Sequence, residues 1–395
     1  MKTRFFAIAL CAIVLVGTSA QAADWRVKAT GNFSTSSTWE LVSGSDPSGL
    51  GIPNSGDNIE VPASFKLWFD QSTTLTTVLI KGEACGSVYP MTAPINIVHK
   101  WVTFTLDGTT AVWPNGSLEL VEGRTQGSVT YDVSGNMSML GDAGFYCARF
   151  AAGTKEEQTI PNLKVGGDFT ISSSRGFPIY PLNYGGTFYD MTNLEFTGTG
   201  ASVLNVTVLT TVEFADVIVP NGKKATFRSA GEGIYIGKDL ITDIGKNLLV
   251  KTGGEALIES PMFLWGVGGI TTEANSTLGV SAVEGFASGW KQGLGTLPLT
   301  ADPSTIAKYF GSLTQALGPL MVSPAYKLAL DKSGGALNME KDLTVHKLAL
   351  TNGTINTGSF TLTGPDTLAD LEQGAGQVVG NWVKPWLTVS EWSVY

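Results

Sequence analysis

Charge, histidine and helix-like periodicity are all scarce in this chain. Only 15% of its 395 residues are charged, against roughly 25% in an ordinary soluble domain. With 43% apolar residues, the chain has ample material for a core, which excludes wholesale disorder. There are two histidines, His99 and His346, and three cysteines. A chain so poor in both does not supply the four ligands of a structural zinc site. No Gly-x-Ser-x-Gly elbow, phosphate loop or dinucleotide fingerprint is present. Calcium-binding nonapeptide repeats are absent as well, and Ser43-Gly44-Ser45-Asp46-Pro47 reads as a generic turn. The sequence therefore implies no cofactor, no metal site and no catalytic residue.

Long apolar runs are missing too, except at the start. Lys2 and Arg4 open the chain, an uncharged apolar run follows from Phe5 to Gly17, and Ala20-Gln21-Ala22 supplies a small-x-small cleavage pattern. This reads as a signal peptide over residues 1–22, which places the protein outside the cell or at its surface. The rival is a membrane anchor, but the run falls short of the roughly 20 residues that span a bilayer. Cys11 lies inside the run and leaves with it. Loss of Lys2 and Arg4 takes the formal net charge from −9 to −11. An acidic chain without a basic stripe is a poor partner for nucleic acid, and no later segment is apolar enough to span a membrane. Cys85 and Cys147 remain. Export favours a disulfide between them, and two buried free thiols are the alternative.

What the chain has in quantity is glycine, at 48 residues. Short alternating runs such as Leu118-Glu119-Leu120 and Leu248-Leu249-Val250 end in Asn-Gly or Gly-Gly pairs, among them Asn115-Gly116, Asn221-Gly222, Gly253-Gly254 and Asn352-Gly353. Alternation puts one set of side chains inside and the other out, and these turn residues accept positive φ cheaply.

A repeat underlies the pattern. Residues 163–171 read LKVGGDFTI, 234–242 read IYIGKDLIT and 337–345 read LNMEKDLTV, with Asp168, Asp239 and Asp342 coinciding. Units this short, each a strand, a bend and a strand, wind into stacked coils. The spacing predicts an all-β parallel β-helix, or β-solenoid, with Val165, Ile236 and Met339 pointing inward. At about 20–29 residues per coil and about 4.8 Å per layer, roughly 13–18 coils would form a rod roughly 60–85 Å long. A pair of antiparallel β-sandwiches is the rival, since Asn-Gly turns also mark hairpins. One short helix is expected over 302–317, capped by Asp302, opened by Pro303 and carrying Ile306, Phe310, Leu313 and Leu317 at helical spacing. The expected organisation is an N-terminal β-domain or first coils over 23–150, solenoid over 151–298, a helix-containing insertion over 299–330 and closing coils over 331–395.

Two stretches resemble a known group. Gly31-Asn32-Phe33-Ser34, Thr38-Trp39, Pro53-Asn54-Ser55-Gly56-Asp57 and the strand from Ile59 to Val61 resemble the opening of the eight-glycine extracellular β-domain. They also resemble the first segment of large secreted proteins of the Bacteroidetes type. Pro62-Ala63-Ser64-Phe65 stands where that domain has a glycine turn. LTVHKLALTNGTINTGSFTLTG and GQVVGNWVKPW, towards the C-terminus, are similar to the coil repeats of those surface proteins and to the segment that follows them. The resemblance implies an exported right-handed β-helix or related solenoid with an adhesin-like or structural role, and the absence of catalytic motifs adds the expectation that it is not an enzyme.

Two other functions stay open. One is a carbohydrate-active β-helix enzyme, a polysaccharide lyase or glycoside hydrolase, built from carboxylates gathered across coils. Asp168, Asp239 and Asp342 are its candidates, but each precedes a strand, where Asp ordinarily caps a turn. His99 reads as solvent-facing and His346 as part of a bend, so neither supports a triad. The other is a glycan-binding module. Residues 176–189 hold five aromatics in a Pro/Gly-rich stretch without strand period. Tyr180, Asn183, Tyr184 and Tyr189 there offer ring faces and an amide for sugars. Surface glycans or other surface proteins are the expected partners.

Overall fold

The computed structural model describes the chain from Gln21 to Leu387, apart from positions 87–94, 111–115, 120–126, 147–161, 175–178, 181–182, 185–186, 189–192, 208–210, 215, 231–232, 237–246, 260–261, 265–268, 284, 287–298, 320, 322 and 324. These residues form a parallel β-helix with three faces.

One register runs the length of the first face. Trp25, Ile59, Val78, Phe104, Met137, Phe169, Leu204, Phe227, Ile258, Val280, Tyr309, Leu330, Leu350 and Gln373 pair in turn, all in parallel. Every member but the last is buried. These fourteen layers span roughly 60 Å at the usual strand spacing. On the second face Thr73, His99, Tyr131, Leu163, Leu194, Val217, Leu248, Ile270 and Leu299 pair in the same manner. The third face is built in shorter stacks, Leu67 to Ala84 to Leu118 to Phe145 and then Val212 to Ile234 to Met262. The strand Ile95–Gly108 bends round a corner, so its first half pairs on the second face and its second half on the first.

The corners are turns between faces. Gly222 and Gly253 hold φ of 66° and 65°, and the Gly222 amide donates to the Thr252 carbonyl of the next coil. A side chain would be strained at either position. Coil length varies, since Leu330 pairs with Leu350 but Phe169 with Leu204. The first-face pairing is kept through this variation.

Antiparallel pairing is confined, among the described residues, to two places. Trp39–Ser43 runs against Asp24–Val27 and closes the N-terminal edge. Asn183–Tyr184 pairs with Thr187–Phe188. That distribution rules out the sandwich arrangement.

The helix expected over 302–317 does not form. Asp302 and Pro303 open a turn instead. The Thr305 amide donates to the Asp302 carbonyl at 2.9 Å, and the Asp302 carboxylate accepts from the Ser304 amide and hydroxyl. Strands Ile306–Gly311 and Gln315–Ala316 follow. Asp-Pro suits the start of a type I turn as well as that of a helix, and the neighbouring coils offer Ile306–Tyr309 a ladder on both sides. No α-helix occurs among the described residues, only single 3-10 turns at Ser36–Thr38 and Leu368–Asp370.

The first and third repeats are strand–bend–strand units in stacked coils, and of the second only the opening strand Gly233–Ile236 lies among the described residues; the copies are not in the same phase. The first begins on the second face, with Val165 buried. The other two begin after a first-face strand, at Ile234 and Leu337, on the third face. Met339 is buried. Of Ile236, only its strand position, paired with Phe214 and Leu264, is described.

Asp168 and Asp342 join coils to each other. Asp168 accepts from the Val203 amide at 2.9 Å and Asp342 from the Thr361 amide at 2.7 Å, each in the following coil. Asp239 lies outside the described residues. Substituting Asp342→Ala should lower stability by about 1 kcal/mol, the usual worth of one such bond. An unchanged urea midpoint would show that Thr361 is satisfied equally well by water.

Charged side chains on the outer faces pair across coils. Lys164 meets Glu195 at 3.1 Å and Lys66 meets Glu83 at 2.8 Å, both directly opposite in register. Glu255 lies between Lys224 at 2.9 Å and Lys308 at 3.3 Å, and Lys308 continues to Asp331. Burial alone would raise the Glu255 pKa, but the two lysines outweigh it and hold the carboxyl below its ordinary value. Such pairs contribute little individually, about 0–1 kcal/mol. They do favour one register over its neighbours.

Candidate functional site

The sequence placed its binding candidates on one loop, and the structure divides them. Tyr180 belongs to the solenoid itself, on the strand Ile179–Tyr180, paired with Phe145–Tyr146 on the third face. Asn183 and Tyr184 stand on the small antiparallel ribbon, Asn183 opposite Phe188 and Tyr184 opposite Thr187. That ribbon forms a sheet of its own, separate from the ladders of the three faces. Tyr189 lies outside the described residues.

Cys85 is buried on the strand Glu83–Cys85, and Cys147 lies outside the described residues. No disulfide is seen among the described residues. Cys85 pairs with Glu119, and Glu119 with Tyr146, the residue before Cys147. Two strand layers, about 10 Å, separate Cys85 from Tyr146.

His99 is not solvent-facing. It is fully buried, with ring centroids of Phe69, Tyr131 and Trp101 at 4.9, 5.1 and 5.3 Å. Its Nδ1 is 3.1 Å from the Thr73 hydroxyl and its Nε2 is 3.4 Å from the Gly86 carbonyl. Trp101 Nε1 donates to the same hydroxyl at 2.9 Å. The network is consistent when Thr73 donates to Nδ1 and Nε2–H donates to Gly86. Burial depresses the pKa to about 4, against a smaller upward pull from the Gly86 carbonyl. His99 is thus a core residue whose ring is uncharged near neutral pH. His346 is exposed on the long strand Leu343–Thr363, not in a bend.

A cavity of about 460 Å³ opens where the expected helix was placed. Leu278, Phe286, Leu299, Ala307, Met321 and Ala325 make its apolar wall, and Asp302, Tyr326 and His346 its polar part. The size suits a small ligand. Its one carboxylate, Asp302, is already engaged by Ser304 at 2.8 and 2.6 Å, which holds its pKa below the ordinary value. Hydrolysis by paired carboxylates would need a second one beside it, and the described lining has none. No signal in the sequence marks this cavity, because its walls come from four coils and an irregular corner.

Lys332 is a second buried titratable group. Its ammonium donates to the Leu313 carbonyl and the Gln315 side-chain oxygen, both at 2.6 Å, and burial lowers its pKa. Gln315 in turn donates to the Val280 and Ala282 carbonyls at 3.0 Å. This chain ties three coils together at a corner. Near the C-terminal end Trp382 and Trp386 meet edge to face at 6.2 Å, and the Lys384 ammonium lies 4.1 Å from the Trp382 ring.

No group of three or more His, Cys, Asp or Glu able to hold a metal ion occurs among the described residues. No helix among them is long and apolar enough to cross a membrane. Comparison with protein-family models, with characterised proteins and with solved structures finds no match.

Proposed function

We propose that the protein is an exported β-solenoid of the cell surface or extracellular space, with an adhesin-like or structural role and no catalysis. The observation that carries this reading is the first-face register, unbroken from Trp25 to Gln373, behind a start with the charge and length of a signal peptide. Its inward residues are spent on the core and its outward charges on cross-coil pairs. Such a rod offers surface and reach. The resemblance of the N-terminal and C-terminal stretches to secreted surface proteins points the same way. Fractionation of the native host, with protease shaving of intact cells, tests it. Recovery only from the cytosol would end the reading.

The Cys85–Cys147 bridge belongs to the same proposal. Peptide mapping without reductant should recover the two cysteines as one linked pair. Two alkylatable thiols in the exported protein would remove the bridge and leave the buried-thiol alternative.

A glycan-binding role is the second reading, favoured by the ribbon that leaves the three faces at Asn183–Tyr184. Tyr184→Ala should then reduce signal on a glycan array at least tenfold while the melting temperature stays within a few degrees. Loss of binding together with the fold, or no glycan signal from the parent protein, would count against it.

A further inference from the structure

Asp57 is a carboxylate in an unusual place. It is 6% exposed, and its three hydrogen-bond donors are uncharged. Asn54 N and Trp25 Nε1 donate to Oδ2 at 2.7 and 2.9 Å, and Ala23 N donates to Oδ1 at 2.9 Å. Among the described residues no side-chain cation pairs with it. A buried carboxylate without a counter-ion is costly.

The third donor is where a cation would arise. Ala23 N is the nitrogen released if the chain is cut after Ala20-Gln21-Ala22. Ala23 itself is buried at 1% exposure. Its carbonyl accepts from the Asn58 amide at 2.9 Å. Gly44 lies against it so closely that a Cβ there would come within 2.8 Å of Ala23 Cα. The chain is therefore seated at Ala23, whereas Ala22 is half-exposed and Gln21 exposed.

We propose that export cleaves the Ala22–Ala23 bond and that the new α-ammonium of Ala23 is the missing counter-ion of Asp57, so that processing locks the first coil. The inference rests on the export reading above. Hydrolysis by a signal peptidase consumes one water. The C–N bond breaks, the carboxylate stays on Ala22 of the departing leader, and the amine on Ala23 takes up a proton at neutral pH. Cleavage precedes folding, since the folded chain buries Ala23. The nitrogen then keeps its place 2.9 Å from Oδ1 and changes from a neutral donor to a charged one, which strengthens the bond. Removal of Ala22 opens one side of the ammonium to water for its remaining protons.

Pro53-Asn54-Ser55-Gly56-Asp57 presents the carboxylate, and Trp25 and Asn54 fix it. Trp39, whose Nε1 donates to the Phe33 carbonyl at 2.8 Å, sits on the strand paired to Trp25's own.

The test has separate arms. N-terminal sequencing of the exported protein should read Ala23 first, and any other start overturns the proposal. A chain never exported overturns the export reading with it. With Ala23 first, the folded protein is treated with formaldehyde and cyanoborohydride at pH 7. The α-amine should be methylated at least tenfold more slowly than in the urea-unfolded chain, and equal rates would overturn the pairing even though export stands. The third arm is a cycle between chains beginning at Ala23 and at Gln21, each with Asp57 and with Asp57→Asn. The substitution should reduce the folding equilibrium constant at least tenfold more in the chain beginning at Ala23. An equal loss in both would reduce Asp57 to a holder of Asn54 and Trp25. If Asp57→Asn prevents folding, the methylation arm, which needs no variant, decides.

Discussion

Replacing Tyr309 with alanine is expected to lower stability by about 4 kcal/mol, within the range for emptying a large aromatic site in a core. Tyr309 is fully buried in the first-face column between Val280 and Leu330. Its ring meets Phe286 edge to face at 5.1 Å, and its hydroxyl donates to the Leu317 carbonyl. Burial, with a contribution from the negative charge of Glu340, pushes the phenol's pKa well above its ordinary value, so it remains a donor. Tyr309→Phe isolates that bond and should lose about 1–3 kcal/mol, because the Leu317 carbonyl is left behind. Urea unfolding followed by tryptophan fluorescence reads both variants. An alanine variant within 1 kcal/mol of the parent would mean that this coil contributes little to the cooperative unit.

Acid should weaken the fold through His99. The pKa of a free histidine is about 6.5, and that of His99 in the fold is about 4. The unfolded chain therefore binds the proton first. Stability from this residue is complete above pH 6.5, falls as pH drops from 6.5 to 4, and levels below that. At about 1.4 kcal/mol per pH unit the loss amounts to about 3 kcal/mol. His99→Gln cannot take the proton. It should be less stable at pH 7 and show a flatter profile between pH 6.5 and 4. Identical slopes in the two proteins would show that another group titrates in that window.

The architecture was largely legible in the sequence, because a three-faced coil needs only short alternating runs and turn residues between them. Asn221-Gly222 and Gly253 became corners as their residue types required. His99 faces inward against its expected exposure, and its own alternation is informative. Ile97 and Trp101 share its phase, and both are buried, so the pattern placed His99 inside with them. Asp302-Pro303 misled for another reason. The same pair begins a helix or a turn, and the choice was made by ladder partners from other coils, which local sequence does not display. The binding candidates were grouped by proximity in sequence. Tyr180 pairs on the third face and Asn183 on a separate ribbon, a division that nearness in sequence does not display.

The fourteen-layer column also has a mechanical side. Hydrogen bonds between layers run along the long axis, so tension between the two ends bears on them directly. The interface between neighbouring coils then yields before the covalent chain does. Coils here run from 19 residues, Ile59 to Val78, to 35, Phe169 to Leu204, so one that comes free lengthens the molecule by roughly 65–120 Å, in place of the single layer it occupied. Stretched from Trp25 and Gln373, the rod should extend in discrete steps of that size, behaving as a reel and not as a spring.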